Sequence, residues 1–341
     1  MEQRRGVVFE PPDQNKELVT MKKLLSCLLL IGLLFNAGCQ KKPQDQSGEE
    51  ELKGTVTVSG AWALYPMVVK WAEEFQKIYP KVKIDIAAGG AGKGMADCLA
   101  KVVDIGMVSR EVYPVEIEKG AWWISVTKDA VVPTVNEKNP VLTELLSKGV
   151  RRETFIDIWI TGKIKNWGEV IGSTSEHLIH VYTRSDACGA AETWAKFLDK
   201  KQEDLHGVGV YGDPGLAEAV SNDNLGIGFN NINYAYDAKT KGQIKGIRVL
   251  PIDFNGNDLI DKEENFYNSR DEIVEAIATG RYLSPPARDL HFVSQGKPKK
   301  KVVAEFFKWV LTDGQKYVPE AGYINLTQEK IQEGLKKLEG R

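Results

Sequence analysis

Three segments rich in glycine and alanine contain the residues that could do chemistry in this chain. They are 59–66 (Ser-Gly-Ala-Trp-Ala-Leu-Tyr-Pro), 88–94 (Ala-Gly-Gly-Ala-Gly-Lys-Gly) and 184–191 (Arg-Ser-Asp-Ala-Cys-Gly-Ala-Ala). Each segment precedes a stretch with helical character, and the first N–H groups of a helix have no partner within it. Those groups and the helix dipole favour a bound anion. The segments therefore predict an anion site, in which Arg184 can meet two anion oxygens at once.

A second group of potential ligands lies in the single segment 253–264. Aligned with the twelve-residue loop of an EF-hand, it has Asp or Asn at positions 1, 3, 5 and 9, an apolar residue at 8 and Glu at 12. Asp258 replaces the usual glycine at position 6, and Asp tolerates left-handed backbone better than most residues. The segment predicts a structural Ca²⁺ site, and the alternative is a solvated acidic turn. The predicted ligands are Asp253, Asn255, Asn257, the carbonyl of Leu259, Asp261 and Glu264.

The N-terminal region has the pattern of a secretion signal. Lysines at 22 and 23 precede an apolar run at 24–35, and small residues then lead to Cys39. The run is shorter than the roughly 20 residues of a membrane-spanning helix. Its end, Ala-Gly-Cys, resembles a lipobox, although Asn36 stands where leucine is usual.

The expected organisation of this region follows from that pattern. We expect 1–20 to be a disordered upstream extension and 21–38 to be a lipoprotein signal peptide. Cys39 would carry the lipid, and 39–53, which is polar throughout, would be a flexible linker to the membrane. The membrane would then be contacted only through the lipid anchor.

The composition argues against several other classes of protein. The chain has 341 residues, of which 42% are hydrophobic, and this suits a globular protein with a substantial core. Its formal net charge of -2 gives no reason to expect nucleic-acid binding. The four histidines have no metal-binding spacing.

Strands and helices alternate along the rest of the chain, which predicts parallel sheets with helical crossovers. The hydrophobic pattern predicts strands at 55–59, 81–86, 104–108, 130–136, 178–183, 247–252 and 290–294. It predicts helices at 67–79, 92–103, 141–148, 154–160, 189–200 and 271–277, a long helix from 300, and a final helix. Asp271 is expected to cap the helix at 271–277, and Thr327 is expected to cap the final helix.

Several of these motifs also have the order and spacing of one known family. They are 59–66 with Lys70-Trp71, 89–94, 103–110, 161–167, 225–229, 287–290 and 306–314. Over about 55–326 the chain resembles the substrate-binding protein of the phosphate ABC transporter, in the periplasmic-binding superfamily. The resemblance implies an α/β, two-lobed periplasmic-binding-protein fold of type II, with a hinge of two crossing strands.

The resemblance also implies lobe boundaries. Lobe one would contain 54–136 and 287–341, and lobe two would contain 137–286. Cys98 and Cys188 then lie in different lobes, so we expect them not to pair. The ligand would lie between the lobes and be buried when they close, which strengthens its hydrogen bonds.

The function implied by the resemblance is that of an extracytoplasmic, lipid-anchored, monomeric solute-binding protein. It would capture an oxyanion, above all phosphate, for an ABC importer, and it would be neither an enzyme nor dependent on an organic cofactor. The predicted anion contacts are Leu64, Tyr65, Ala91, Arg110, Arg184, Cys188, Gly189 and Ala190.

The chain departs from the family where hydroxyl side chains usually bind phosphate. Ala91, Cys188 and Ala190 stand at such positions, and Arg110 stands where some members have an aspartate. Without that aspartate, rejection of sulfate-like anions is harder to explain unless Glu111 accepts the proton of hydrogen phosphate. Each lost hydrogen bond to a charged ligand costs about 1.5–3 kcal/mol.

These departures keep alternatives open. The backbone and two arginines could suffice for phosphate, or a roomier pocket could take an organic phosphate, a phosphonate or a sulfate-like anion. The fold could also serve a surface sensor without transport. An enzyme with Cys188 as its nucleophile is a further alternative, because a helix N-terminus and Arg184 would lower the pKa of the thiol.

Overall fold

The structure, a computed structural model, describes residues 51–340. Its strands are β1 (Gly54–Gly60), β2 (Val82–Ala88), β3 (Ile105–Val108), β4 (Ala121–Asn136), β5 (Val150–Arg151), β6 (His180–Arg184), β7 (Val208–Val210), β8 (Gly226–Asn231), β9 (Ile247–Val249), β10 (Ile252–Asp253) and β11 (Ala287–Gln295). Its α-helices are α1 (Tyr65–Ile78), α2 (Ala91–Leu99), α3 (Pro114–Glu118), α4 (Leu142–Lys148), α5 (Arg152–Trp159), α6 (Trp167–Ile171), α7 (Gly189–Phe197), α8 (Gly212–Ser221), α9 (Arg270–Ala278), α10 (Lys301–Leu311) and α11 (Gln328–Glu339).

Nine of the strands between residues 51 and 340 form one mixed sheet, and β5 and β10 form a separate two-stranded sheet. The strand order of the large sheet is β2-β1-β3-β11-β4-β8-β6-β7, and β9 also pairs with β4. β1 is parallel to β2 and β3, and β6 is parallel to β7 and β8, as helical crossovers require. β11 is antiparallel to both β3 and β4. The predicted α/β class is therefore confirmed.

The long strand β4 connects the two halves of the sheet. Its first part pairs with β11 from Ala121 to Ala130, and its second part pairs with β8 from Val131 to Val135. The pairing with β11 shifts register between Leu290 and His291, which marks a β-bulge. A bulge bends the strand that contains it. The bulge therefore lies a few residues before the point where β4 passes from one half of the sheet to the other.

Two separate hydrophobic clusters give each half its own core. The first cluster is drawn from residues 52–126 and 290–331 and includes Trp71 and Phe306. We call the half of the protein around it lobe one. The second cluster, that of lobe two, is drawn mainly from residues 130–287 and includes Trp194, which stacks on other aromatic rings. Each lobe can therefore remain packed while the two move relative to each other.

The helix caps separate a correct prediction from a wrong one. Thr327 caps α11, because its hydroxyl oxygen accepts the N–H of Lys330 at 3.4 Å. Asp271 does not cap α9. That helix begins one residue earlier, and the hydroxyl oxygen of Ser269 accepts the N–H of Glu272 at 3.3 Å. The aspartate is instead within the first turn, where it also favours the helix dipole.

Cys98 and Cys188 are both buried and unpaired, as the sequence predicted. Burial raises the pKa of the Cys98 thiol to about 11, and its sulfur donates to a backbone carbonyl of β11. Between residues 51 and 340, no helix has both the length and the apolar character needed to cross a membrane.

Candidate anion-binding site

The three glycine-rich segments meet at the interface between the lobes. Within lobe one, the N–H groups of Gly89 and Gly90 both donate to the carbonyl of Gly60, at 2.9 and 3.1 Å. From the next turn, the N–H of Gly92 donates to the carbonyl of Ala187 in lobe two at 3.1 Å. The N-termini of α2 and α7 are therefore brought together, as the sequence predicted for these segments.

Two glycines permit this close approach. A Cβ atom at Gly189 would lie 2.2 Å from the carbonyl oxygen of Ser109 and 2.3 Å from its hydroxyl oxygen. Gly90 has φ +89°, and a Cβ there would lie 2.9 Å from Oδ2 of Asp186. Each contact joins a residue of lobe one to a residue of lobe two. The lobes are thus in direct contact around the site.

Arg184 is the last residue of β6, shortly before the N-terminus of α7, and its side chain is 0% exposed. Its Nε and Nη2 donate to the two carboxylate oxygens of Asp186, at 2.8 and 2.7 Å. Its Nη1 donates to Oδ2 of Asp213 at 2.6 Å. Burial alone would lower the pKa of Arg184, but the neighbouring charges, Asp213 foremost, raise it. The guanidinium therefore stays charged, and two of its five N–H groups remain for another acceptor.

Asp213 is held in place by asparagines of β8. Its Oδ1 accepts the side-chain N–H of Asn231 at 2.7 Å, and the side chain of Asn230 donates to its carbonyl at 3.3 Å. Asn231 also accepts a hydrogen bond from Arg288, which in turn donates to the carbonyl of Gly189 at 2.7 Å. These bonds fix the position of Arg184. The sequence did not predict them, since neither α8 nor β8 was recognised.

The residues at the helix starts differ in what their N–H groups do. Those of Leu64 and Tyr65 donate to the carbonyl of Ala61, at 3.1 and 3.2 Å, so the first segment closes on itself. Ala91 begins α2, and Gly189 and Ala190 begin α7. N–H groups at such positions have no acceptor within their own helix.

Cys188 serves as the N-cap of α7. Its sulfur accepts the N–H of Ala191 at 3.4 Å, and its own N–H donates to Oε1 of Gln202 at 3.2 Å. Burial raises the pKa of this thiol to about 12, even though Arg184 favours the thiolate. A neutral, buried thiol is a poor nucleophile. The structure thus removes the basis for Cys188 as a reactive cysteine.

Arg110 is not brought together with the other predicted contacts. Its two terminal nitrogens pair with the carboxylate of Glu116, at 2.9 and 2.7 Å, and its Nε lies 3.2 Å from Glu192. Glu111 is 72% exposed and pairs with Lys196, so it is not beside Arg184 as a proton acceptor. Arg110 and Glu111 instead line a separate cavity of about 980 Å³ between the lobes, which does not include Arg184.

Trp62 fills space between the first segment and the start of α8. Its ring meets the edge of Tyr211 at 6.4 Å, and a Cβ at Gly212 would lie 3.3 Å from it. The carbonyl of Trp62 accepts the hydroxyl of Tyr234 at 3.1 Å. Trp62 thus supplies aromatic surface on the lobe-one side of the interface.

Comparison with known proteins assigns the fold to a class. The sequence profile of the PBP superfamily domain matches residues 45–314, and the chain therefore belongs to this superfamily. The phosphate-binding protein PstS of Bacillus subtilis is 28% identical over 238 residues, which cover 69% of this chain and 77% of that protein. The PstS of Methanocaldococcus jannaschii is 24% identical over 95% of each chain.

Solved structures agree on the fold. A substrate-binding protein from Clostridium perfringens with bound phosphate has a TM-score of 0.66 and 22% identity, covering 80% of this chain and 100% of that one. An ABC-type phosphate transport receptor from Vibrio cholerae has a TM-score of 0.57 and 19% identity over the same shares. The two-lobed fold is confirmed, and the relatives named above are binding proteins by name.

Proposed function

We propose that this chain binds inorganic phosphate outside the cytoplasm and delivers it to an ABC importer. The observation that carries the proposal is the buried, charged guanidinium of Arg184, which binds Asp186 beside the place where two helix N-termini from different lobes meet. Helix N-termini and guanidinium groups both recognise tetrahedral oxyanions. Similarity to proteins named phosphate-binding protein supports the choice of ligand.

The anion would be held by few side chains and by several backbone groups. The two remaining N–H groups of Arg184 and the N–H groups of Ala91, Gly189 and Ala190 supply donors from both lobes. Closure of the lobes about β4 would exclude water and so strengthen each of these hydrogen bonds. Arg110 has no part in this arrangement, because it pairs with Glu116 and Glu192 on the separate cavity that does not include Arg184.

Selectivity for phosphate would come from a carboxylate of the site. Hydrogen phosphate has a proton to donate, whereas fully ionised sulfate has none, so an acceptor favours phosphate. Asp186 is nearly buried, and its Oδ2 faces Gly90 at the start of the α2 segment. We assign the acceptor role to Asp186 because Glu111 is exposed elsewhere.

The lost hydroxyl groups favour a second candidate ligand. Ala91 and Ala190 offer no side-chain donor, and the thiol of Cys188 is already used as a helix cap. Trp62 adds apolar surface beside the first segment. A phosphonate or an organic phosphate would use such surface for its carbon group, while its phosphoryl oxygens met the same donors.

Titration calorimetry of the purified protein with phosphate, sulfate and methylphosphonate would test these candidates. Phosphate should bind most tightly, and exchange of Asp186 for Asn should reduce the preference over sulfate. Tighter binding of methylphosphonate would replace phosphate by the second candidate. Lack of binding by all three anions at millimolar concentration would refute the proposal.

The proposed location rests on the N-terminal sequence. Cys39 and the signal that precedes it lie outside the described residues, so lipidation remains a proposal. A lipid on Cys39 would hold a monomer close to the permease that receives its ligand. Exchange of Cys39 for Ala should move the protein from the membrane fraction to the soluble fraction. An unchanged distribution would contradict the anchor.

A further inference from the structure

The acidic loop 253–264 belongs to lobe two, where it is anchored by contacts with β5 and α4. Asp253 ends β10, which pairs in parallel with β5, and it is almost fully buried. Near the middle of the loop, the N–H of Ile260 donates to the carbonyl of Ser147 at 2.9 Å. Both ends of the loop are buried, although the residues between them are largely exposed. Its conformation is therefore set by the fold.

The backbone of the loop has the turn that a cation-binding loop needs. Asp258, at position 6, has φ +59°, the left-handed conformation for which EF-hand loops use glycine. The carboxylate of Asp253 accepts the N–H groups of Gly256 at 2.7 Å and Asp258 at 2.9 Å. The loop is thus wrapped around the side chain at position 1.

Glu264, at position 12, has one carboxylate oxygen that is buried without a hydrogen-bond partner. Its side chain is buried, with the residue 6% exposed, and its Oε1 accepts the N–H groups of Phe254 and Asn255 at 2.8 and 3.1 Å. Its Oε2 is buried and has no hydrogen-bond partner. A buried carboxylate oxygen without a donor or cation is costly.

The charges around this oxygen are only partly balanced. The segment 253–264 contains five carboxylates and one lysine. Arg151 is the nearby cation, with Nη2 at 2.7 Å from Asp258 and Nε at 3.4 Å from Asp253. A divalent cation would neutralise more of this charge than one guanidinium does.

We propose that this loop binds one Ca²⁺ ion, with the unpartnered oxygen of Glu264 as a ligand. Asp253, Asn255, Asn257, the carbonyl of Leu259 and Asp261 would supply the other oxygens, which is the donor set that Ca²⁺ prefers. Within residues 51–340, no three Asp, Glu, His or Cys side chains are arranged around a common point for a metal. Binding must therefore rotate carboxylates away from the N–H groups and from Arg151 that now engage them.

The test is calorimetric titration of CaCl₂ into chelator-treated protein, together with melting curves. One ion should bind, and a hundredfold excess over Kd should raise the melting temperature by about 5 °C. Glu264→Gln should abolish both responses. The matched control is Glu263→Gln, which removes the same charge from an exposed neighbour and should leave both responses intact.

Two further variants keep the test decisive. If Glu264→Gln does not fold, Asp261→Asn, at a more exposed position, should weaken Ca²⁺ binding at least tenfold. Arg151→Gln should strengthen binding, because it removes a competing cation. No binding at millimolar Ca²⁺, or equal loss in the Glu263 and Glu264 variants, would overturn the proposal. Phosphate binding is not needed for any of these readouts.

Discussion

Gly189 in lobe two and Ser109 in lobe one are so close that a methyl group does not fit between them. A Cβ atom at 189 would lie 2.2 Å from a backbone oxygen, which cannot rotate away. The absence of a side chain at 189 is thus a condition for contact between the lobes. This gives a way to disturb closure without disturbing either core.

Gly189→Ala should weaken ligand binding at least tenfold and leave the melting temperature of the free protein nearly unchanged. The reason is that the added methyl group clashes with Ser109 of the other lobe, so it holds the lobes apart without disturbing either core. Gly242→Ala is the control, because a Cβ there meets nothing closer than 3.7 Å. Titration calorimetry and melting curves measure the two effects. Full affinity in Gly189→Ala would mean that the bound state does not use this contact.

Arg184→Lys should lose affinity for the anion although the charge is kept. A lysine cannot reproduce the paired hydrogen bonds to Asp186 while it also reaches Asp213. Arg184→Ala should cost about 2–5 kcal/mol of binding free energy. It should also cost about 3–5 kcal/mol of unfolding free energy, because two buried carboxylates lose their partner.

Calorimetry and denaturant unfolding would check both effects of the Arg184 variants. Arg281→Lys is a matched control at an exposed position of lobe two. Phosphate binding at full strength in Arg184→Ala would place the anion elsewhere in the protein.

Ala91→Ser should restore a side-chain donor at the start of α2. If the ligand is phosphate, a new hydrogen bond of about 1.5–3 kcal/mol should raise affinity by about tenfold or more. Ala96→Ser makes the same change on the exposed face of the same helix and should have no effect on binding. Lower affinity of Ala91→Ser for the native ligand would indicate a pocket shaped for a bulkier anion.

His291 should make the protein less stable in mild acid. Burial lowers its pKa to about 4, and its Nδ1 lies 3.2 Å from the hydroxyl of Ser125. Between about pH 6.5 and pH 4 the unfolded chain therefore binds a proton that the native state does not. The unfolding free energy should fall by up to about 3 kcal/mol as the pH falls through this range.

His291→Gln should remove that part of the pH dependence, whereas His177→Gln, at an exposed position, should retain it. Denaturant unfolding at pH 4, 5.5 and 7 gives the comparison. The same slope in His291→Gln as in the native protein would assign the acid sensitivity to other groups.

The strands and helices of lobe one could largely be predicted, because their apolar residues follow a simple period. β1, α1, β2 and α2 all begin within a few residues of their predicted starts. β4 could be predicted only from Ala130, since the residues before it mix tryptophan with lysine and aspartate. α8 was not predicted because it begins Gly-Asp-Pro-Gly, which is typical of a turn.

The sequence identified Arg184 as a candidate site residue but not the residues that bind its side chain. Arg184 and the glycine-rich segments are recognisable in the sequence itself. Asp213 lies 29 residues away from Arg184 in the chain, and no local pattern connects them. Arg110 was misleading because its carboxylate partners were not foreseen: Glu116 lies six residues away, and Glu192 comes from the other lobe.

The shared strand β4 has a mechanical consequence. Two lobes on a flexible tether could take any orientation, but here β4 passes without a break from its pairing with β11, which ends at Ala130, to its pairing with β8, which begins at Val131. Opening must then twist or bend β4 where it passes between the lobes. The bulge where β4 faces Leu290 and His291 lies a few residues away and makes this strand easier to bend. The stiffness of this strand would limit how far the two lobes separate, and it would return them to the same alignment each time the ligand leaves.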